Sequence, residues 1–399
     1  CDCGGRRAGT DSEQAAIKLA QRLLADIDAR GTRIEPISYA GWRNGTAELR
    51  LLDGNAVLAC NPLLGTQQTP PQGLVAETLD LGRGTEEQFK QHAKDIPGRI
   101  VLVRHEYPFA AGHLHRRRKI GWAMEHGAAG YLIASPFPGG GPISGSSGRN
   151  GGKGIPAVAT DYESAARLAP REGTLPRVML KVGGEDYAAT TDVIVLDLPG
   201  RTASWVVLSA HLDGHDLAES AMDNASGVAV ALAVARAFAP FAAHCQRGLR
   251  VCFFSAEEWA LAGSREYLDR MGAARRGSIA VNINLDTVGG EARLTALTSE
   301  FAGLDRFVQA AAAQVGMTLP TYRPLMSNSD HYNFARHGIP ALRLVAGFDN
   351  PTSNIRHILT SADTRDKVVP GEIKSAAIMT AALAWSALNA TDAEIAALR

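Results

Sequence analysis

Residues 204–213 have the sequence S-W-V-V-L-S-A-H-L-D, an apolar run that ends in a histidine and an aspartate. A short apolar run without alternation is typical of a strand that is buried on both faces of a sheet. Comparable runs are V-I-V-L-D-L (193–198), L-R-V-C-F-F-S (249–255), I-A-V-N-I-N-L-D (279–286) and A-L-R-L-V (341–345). Because helical patterns lie between these runs, this part of the chain predicts an α/β fold: a mostly parallel central sheet with helices on both faces.

A smaller α/β pattern precedes this one. I-V-L-V-R (100–104) predicts a buried strand, residues 110–126 predict a helix, and A-A-G-Y-L-I-A-S (128–135) predicts another strand. Strand, helix and strand in close succession indicate a compact unit. We therefore predict an inserted domain at residues 55–176, within a larger domain made of residues 1–54 and 177–399.

The charge of the chain excludes a strong electrostatic attraction to polyanions. Its 399 residues contain 41 Lys plus Arg and 41 Asp plus Glu, so no net field recruits nucleic acid. The basic run 115–119 (H-R-R-R-K) predicts the solvated face of a helix. The glycine-rich segment 136–154 lacks the order G-x-x-x-x-G-K-[ST] and precedes a strand, so it predicts a mobile loop and not a phosphate-binding loop.

The sequence predicts no membrane span and leaves the compartment open. The most apolar segment, 227–245, contains Arg236 and His244, which favours a buried helix. Five cysteines are too few for a disulfide-built scaffold. Because the chain begins at Cys1, we expect that an upstream segment was lost and that the protein is secreted or periplasmic, with a cytoplasmic location as the alternative.

Five side chains that can bind metal ions follow predicted strands or lie in loops of the second half of the chain. They are His211, Asp223, Glu258, Asp286 and His357. Two imidazoles and three carboxylates suit a pair of divalent cations that share one carboxylate. In open α/β sheets, ligands bind at the carboxyl ends of the strands. Each residue alone also has an ordinary explanation, such as a structural histidine, or a helix cap at Asp223.

Glu257 and Glu258 directly follow an apolar strand. Two adjacent carboxylates at the end of a buried strand repel each other unless a cation or a proton compensates them. We interpret Glu258 as a metal ligand and Glu257 as the general acid and base. Asp213, two residues after His211, is suited to orient the histidine ring through its other nitrogen.

Several motifs resemble those of the di-zinc aminopeptidase and glutamate carboxypeptidase superfamily, nearest its plasma glutamate carboxypeptidase-like branch. The motifs are H-L-D (211–213), A-M-D-N-A-S-G-V-A (221–229), F-F-S-A-E-E-W-A-L-A-G-S (253–264), N-L-D-T-V-G (284–289) and S-D-H-Y-N-F (329–334). The predicted insert resembles a protease-associated domain. The resemblance implies the zinc exopeptidase fold, with residues 1–54 and 177–399 as its catalytic domain.

The resemblance also implies two zinc ions (Zn²⁺) per chain, bridged by Asp223. His211 and Asp286 would complete the protein ligands of one ion, and Glu258 and His357 those of the other. Glu257 would take a proton from the water that the two ions share and pass it to the departing amine.

Other positions match the superfamily less closely. Asp330 and His331 fall in a superfamily motif near the site, which implies that they support the ligands or contact the substrate. Many members have Tyr where this chain has Arg356, so the group that holds the oxyanion is left open between Arg356, Tyr332 and Tyr322. Arg343 is unusual inside an apolar strand, and it could pair with a substrate carboxylate or form a structural ion pair.

The resemblance therefore predicts a zinc-dependent exopeptidase that acts on the amino terminus of peptides or on dipeptides. Two alternatives are a glutaminyl cyclase-like acyl transfer and a non-catalytic, receptor-like binding protein. Peptides or dipeptides are the expected partners. Side-chain specificity, the choice between aminopeptidase, dipeptidase and carboxypeptidase, the physiological metal and the oligomeric state are not encoded in any motif.

Overall fold

The computed structural model describes residues 1–149, 151–170 and 173–399. Its strands, in chain order, are β1 (Thr32–Leu51), β2 (Ala56–Leu58), β3 (Cys60–Pro62), β4 (Leu74–Asp80), β5 (Ile100–Arg104), β6 (Gly130–Ala134), β7 (Ala157–Thr160), β8 (Arg177–Leu198), β9 (Trp205–His211), β10 (Gly248–Phe254), β11 (Ile279–Leu285), β12 (Leu294–Leu297), β13 (Thr321–Tyr322) and β14 (Ala341–Ala346).

The α-helices are α1 (Asp11–Asp28), α2 (Glu86–Gln91), α3 (Arg116–Glu125), α4 (Tyr162–Ala166), α5 (Ser226–Phe238), α6 (Ala262–Arg270), α7 (Ala273–Gly277), α8 (Ala302–Gln314), α9 (His331–Arg336), α10 (Pro370–Asn389) and α11 (Asp392–Ala396). Short helical turns occur at Ala221–Ala225, Ala242–His244, Asn354–His357 and Arg365–Lys367. In the part of the chain described, no helix has the length and apolarity that a membrane crossing requires.

The chain forms two compact units. The first unit contains Cys1–Tyr39, Thr190–Ile358 and Asp363–Arg399, and the second contains Ala40–Ala189 and Leu359–Ala362. The predicted insert, 55–176, lies within the second unit, and its predicted boundaries remain a prediction.

The sheet of the first unit is mostly parallel and has helices on both faces, which confirms the predicted fold class. Its strand order is β13-β12-β14-β11-β9-β10-β8, in which β8 and β12 run antiparallel to the neighbours β10 and β14. The apolar side chains of β8, β9 and β10 pack with those of α6 and α9 in one buried cluster. The runs that the sequence singled out are therefore the centre of this sheet.

The register of this sheet brings several strand ends to one edge. Phe254, the last residue of β10, pairs with His211, the last residue of β9. Asn284 of β11 pairs with Ser209 of β9, two residues before His211. Because these three strands are parallel, the residues that follow them leave the sheet at the same level.

The second unit contains a further set of paired strands and its own apolar core. Strands β4, β5, β6 and β7 are parallel neighbours in that order, and β3 pairs antiparallel with β7. Ile100, Leu102, Leu132 and Val158 are among the fully buried residues of its core. The predicted strand–helix–strand succession is present as β5, α3 and β6.

Two expectations for α3 were wrong. The helix begins at Arg116 instead of residue 110, because His115 caps it by accepting a hydrogen bond from the N–H of Arg117. Arg116 and Lys119 are also buried, although the basic run predicted a solvated face. The Lys119 ammonium donates to Glu106 Oε1 at 2.6 Å, an ion pair that the helical pattern alone could not indicate.

Candidate metal centre

His211 lies at the edge where the strands of the first unit end. Its ring is buried, and Nε2 is 3.0 Å from Oδ1 of Asp223 and 3.5 Å from Oδ1 of Asp286. Its other ring nitrogen, Nδ1, is 3.0 Å from the backbone carbonyl oxygen of Asp213. The carbonyl therefore holds the ring so that Nε2 faces the carboxylates.

His211, Glu257 and Asp286 form a compact group of potential ligands. Each offers one ligand atom, these atoms lie within 4.8 Å of each other, and all three side chains are buried. The three residues come from the ends of β9, β10 and β11. Asp223 joins this group through its 3.0 Å contact with His211.

Asp213 fixes the turn that carries the two glutamates. Its Oδ1 accepts a hydrogen bond from the backbone N–H of Glu257 at 3.0 Å, and Oδ2 accepts one from that of Glu258 at 3.2 Å. Ala256, which precedes them, has a left-handed φ of 57°. The expected contact between the Asp213 carboxylate and the His211 ring is longer, at 3.7 Å, so the carboxylate mainly positions the glutamates.

Asp363 and Asn224 fix the turn around Asp223. Asp363 accepts hydrogen bonds from the backbone N–H groups of Met222 at 2.8 Å and Asp223 at 3.2 Å. The Asn224 amide donates to the carbonyl of Leu285 at 2.8 Å and accepts from the N–H of Thr287 at 3.1 Å. Asn224 therefore connects the Asp223 turn to the end of β11.

Arg343 forms an ion pair with Asp286. Its Nη2 lies 3.1 Å from Oδ2 of Asp286, and both side chains are buried. Burial alone would raise the pKa of Asp286, but the charges of Arg343 and His211 hold it below its ordinary value. Of the two predicted roles for Arg343, the contacts favour the structural ion pair.

Two other acids at this site, Glu257 and Asp330, have pKa values that are raised above their ordinary values. Burial raises the pKa of Glu257 well above its ordinary value, and the neighbouring Glu258 and Asp330 carboxylates raise it further. Burial is also the main reason that the pKa of Asp330 rises to about 7. A cation at this position would compensate the carboxylates, so the donor set fits a divalent metal ion.

Glu258 and His357 are not members of the group of three. Glu258 is buried and follows Glu257 in the same turn, whereas His357 ends the turn Asn354–His357 and is partly exposed. Burial and the charge of Arg356 lower the pKa of His357, which favours the neutral ring that binds metals. Arg356 itself donates to the carbonyl of Thr352 at 2.5 Å.

The remaining predicted residues have defined environments. Asp330 is fully buried and accepts a hydrogen bond from the hydroxyl of Ser264. His331 is also fully buried, and burial together with the charge of Arg343 lowers its pKa to about 3. The Tyr322 ring packs on Phe348 with the ring centroids 4.7 Å apart, while Tyr332 is half-buried.

Sequence reasoning missed two buried charged residues beside the site. The Arg6 guanidinium donates to the carbonyls of Leu212 at 2.8 Å, Glu219 at 2.6 Å and Ser220 at 2.7 Å, and so holds the loop between His211 and Asp223. Glu13 accepts hydrogen bonds from the hydroxyls of Thr191 and Ser255. A signal for Glu13 existed, because it lies on the buried stripe of α1.

Fold and site together define an α/β protein with a buried histidine and carboxylate cluster at the strand ends of a mostly parallel sheet. Residues 193–384 match the model of Peptidase family M28, and residues 62–168 match that of the PA domain. Over these residues the chain is similar to the M28 peptidases and to the PA domain, which supports a zinc exopeptidase superfamily assignment with an inserted PA domain.

Individual relatives support this assignment. Carboxypeptidase Q from Bos taurus is 27% identical over 280 residues, which cover 66% of this chain and 58% of that protein. Aminopeptidase YwaD from Bacillus subtilis is 26% identical over 378 residues, covering 89% and 77%. The solved structure of a zinc aminopeptidase from Bacillus subtilis has a TM-score of 0.75 at 22% identity, covering 98% of this chain and 92% of the other, which shows the shared fold.

Proposed function

We propose that this chain is a zinc-dependent exopeptidase that hydrolyses the amino-terminal bond of peptides or the bond of dipeptides. The observation that carries the proposal is the buried group of His211, Glu257 and Asp286, with Asp223 beside it. Its M28 family match and the aminopeptidase named among its relatives support the same reaction class.

Within this proposal, His211, Asp223 and Asp286 would hold one zinc ion, and Asp223, Glu258 and His357 would hold a second. The contacts of His211 with Asp223 and Asp286 support the first set, and the superfamily motifs support the second. When bound, zinc supplies positive charge that polarises the peptide carbonyl and makes water more acidic.

Glu257 is proposed as the residue that moves the proton. Its carboxylate accepts a proton from the attacking water and then donates it to the departing amine, so that the peptide bond breaks without releasing a free amide anion. Asp213 fixes the backbone of Glu257, which supports a constant orientation of this carboxylate. Arg343 holds Asp286 ionised and ready to bind a cation.

The test combines a zinc count with substrates that differ at their ends. The zinc-loaded full chain is expected to hydrolyse leucine p-nitroanilide and alanyl-alanine, to leave N-acetyl-leucine p-nitroanilide intact, and to lose activity with a chelator. Glu257→Gln is expected to lower kcat by about 100-fold or more while zinc still binds. Glu300→Gln, an exposed glutamate of the same unit, is the matched control.

Full activity of Glu257→Gln would contradict the assigned role of this residue. Cyclisation of amino-terminal glutamine without peptide hydrolysis would favour the acyl-transfer alternative. If zinc failed to bind the purified protein even at excess, the non-catalytic binding protein would be the better interpretation.

A further inference from the structure

The second compact unit contains a cavity of about 240 Å³ that is lined by α3 and by residues 147–149 and 153–155. Arg117, Ile120 and Met124 face this cavity from α3, at the spacing of three and four residues that places side chains on one helical face. The opposite wall includes Arg149 and Lys153 of the glycine-rich segment. We call this space the basic cavity.

The charged side chains that line the basic cavity are of one sign. Arg117, Arg149 and Lys153 line it, and no acidic side chain is among the described residues of its lining. The Arg149 guanidinium forms an ion pair with Asp186, which lies outside the lining. Arg117 and Lys153 are the other two cationic side chains of the lining, and cationic side chains attract anions.

Arg149 makes several polar contacts in the wall of the basic cavity. Its side chain is only 7% exposed. Its Nε donates to the carbonyl of Gly65 at 2.5 Å, and its Nη1 donates to that of Gly152 at 3.2 Å. The guanidinium therefore organises the segment that carries Lys153.

Two glycines let this segment pack closely on the arginines. A β-carbon at Gly154 would lie 2.5 Å from Cδ of Arg149. At Gly148, where φ is +79°, a β-carbon would lie 3.1 Å from Cδ of Arg117. The glycines are thus explained by close packing against cationic side chains, although the segment does not have the order of a phosphate-binding loop.

We propose that the basic cavity binds a small oxyanion attached to an aliphatic group, such as the carboxylate of an amino acid or short peptide. The cations supply charge-assisted hydrogen bonds to the oxyanion. Ile120, Met124 and Ile155 supply apolar surface for the aliphatic group. This inference goes beyond the proposed exopeptidase activity and does not depend on it.

Three probes of the full chain separate the charge from the apolar group. N-acetyl-leucine has both features, N-acetyl-leucinamide has the same body without the charge, and inorganic phosphate has only the charge. The readout is the ¹³C-methyl resonance of Met124, which lines the cavity and is identified by its loss in Met124→Leu. We expect a saturable shift with N-acetyl-leucine, a weaker affinity for phosphate, and no saturable shift with the amide.

Variants then locate the binding. Lys153→Gln removes an exposed cation of the lining and is expected to weaken N-acetyl-leucine binding about tenfold. Lys94→Gln, an exposed lysine of the same unit outside the lining, should change nothing. If Lys153→Gln weakens the binding of N-acetyl-leucine, this ligand does not bind at the metal centre alone.

The proposal is overturned if the amide binds as tightly as the acid, if phosphate binds more tightly than N-acetyl-leucine, or if Lys153→Gln leaves the affinity unchanged. The proposal is also overturned if N-acetyl-leucine causes no saturable shift at concentrations up to about 10 mM, because any Kd above that concentration means very weak binding.

Discussion

Asp363 accepts a hydrogen bond from the backbone N–H of Asp223 at 3.2 Å, across 140 residues of sequence. The other oxygen of the same carboxylate accepts from Met222 at 2.8 Å. Asp213 uses the same arrangement on the turn of Glu257 and Glu258. Two buried carboxylates that bind no metal in our proposal therefore position the turns that carry the candidate ligands.

Replacement of Asp363 should loosen the Asp223 turn. In Asp363→Asn, the amide oxygen can still accept one of the two backbone hydrogen bonds. The amide N–H₂ group cannot accept the other, so one buried backbone N–H, of Met222 or Asp223, loses its partner. We expect a loss of about 1–3 kcal/mol in the free energy of unfolding, together with weaker zinc binding. Urea unfolding and zinc titration measure both effects. Asp366→Asn, an exposed neighbour, is the control, and equal behaviour of the two variants would refute the positioning role.

Removal of Arg343 should destabilise the metal-free protein more than the zinc-bound protein. Arg343→Met leaves the buried Asp286 without its ion-pair partner, at an expected cost of about 3–5 kcal/mol. Bound zinc would restore part of this loss, since it supplies another positive charge beside Asp286. Thermal unfolding with chelator and with excess zinc compares the two states, with Arg336→Gln on the surface as control. The same destabilisation in both states would argue against Asp286 as a ligand.

Asp330 should make the stability of the metal-free protein depend on pH. Its pKa of about 7 exceeds the ordinary value of 3.8, so between these values the folded state holds a proton that the unfolded state has lost. The stabilisation is therefore complete below about pH 4 and is lost as the pH rises through about 7.

The variant Asp330→Asn isolates this contribution, because the amide keeps an acceptor for Ser264 but does not titrate. Chelated wild-type protein should lose more stability than Asp330→Asn between pH 5 and pH 8, as measured by urea unfolding. Parallel pH profiles for the two proteins would show that Asp330 does not titrate in this range.

Arg6 should be irreplaceable by lysine. Its guanidinium reaches the carbonyls of Leu212, Glu219 and Ser220, whereas an ammonium group cannot match this planar set of donors. We expect Arg6→Lys to cost about 1–3 kcal/mol and to expose the loop 212–220 to limited proteolysis. Arg22→Lys, an exposed position on α1, should leave both measurements unchanged. An uncleaved loop in Arg6→Lys would show that other contacts suffice.

Local patterns in the sequence identified the sheet and the positions at its edge. Apolar runs such as V-V-L-S-A and I-A-V-N-I-N-L predicted the buried strands, because burial on both faces demands an unbroken apolar run. The polar residues that follow these runs are the ones that the structure brings together at His211, Glu257 and Asp286.

Those local patterns could not predict contacts between residues that are far apart in the sequence. The basic run of α3 looked solvated because Glu106, the ion-pair partner of the buried Lys119, is not on the helix. The carbonyl of Asp213 rather than its carboxylate holds the His211 ring, a distinction that spacing cannot express.

The sequence by itself determined which residues stand at the ends of buried strands, since periodicity and strand length are local properties of the chain. Only the tertiary structure decided how those residues are oriented. The partners of Asp286, Asp223 and the loop after His211 are Arg343, Asp363 and Arg6, which lie far away in the sequence. A hydrogen bond or ion pair depends on distance in space, and folding alone brings these groups within reach.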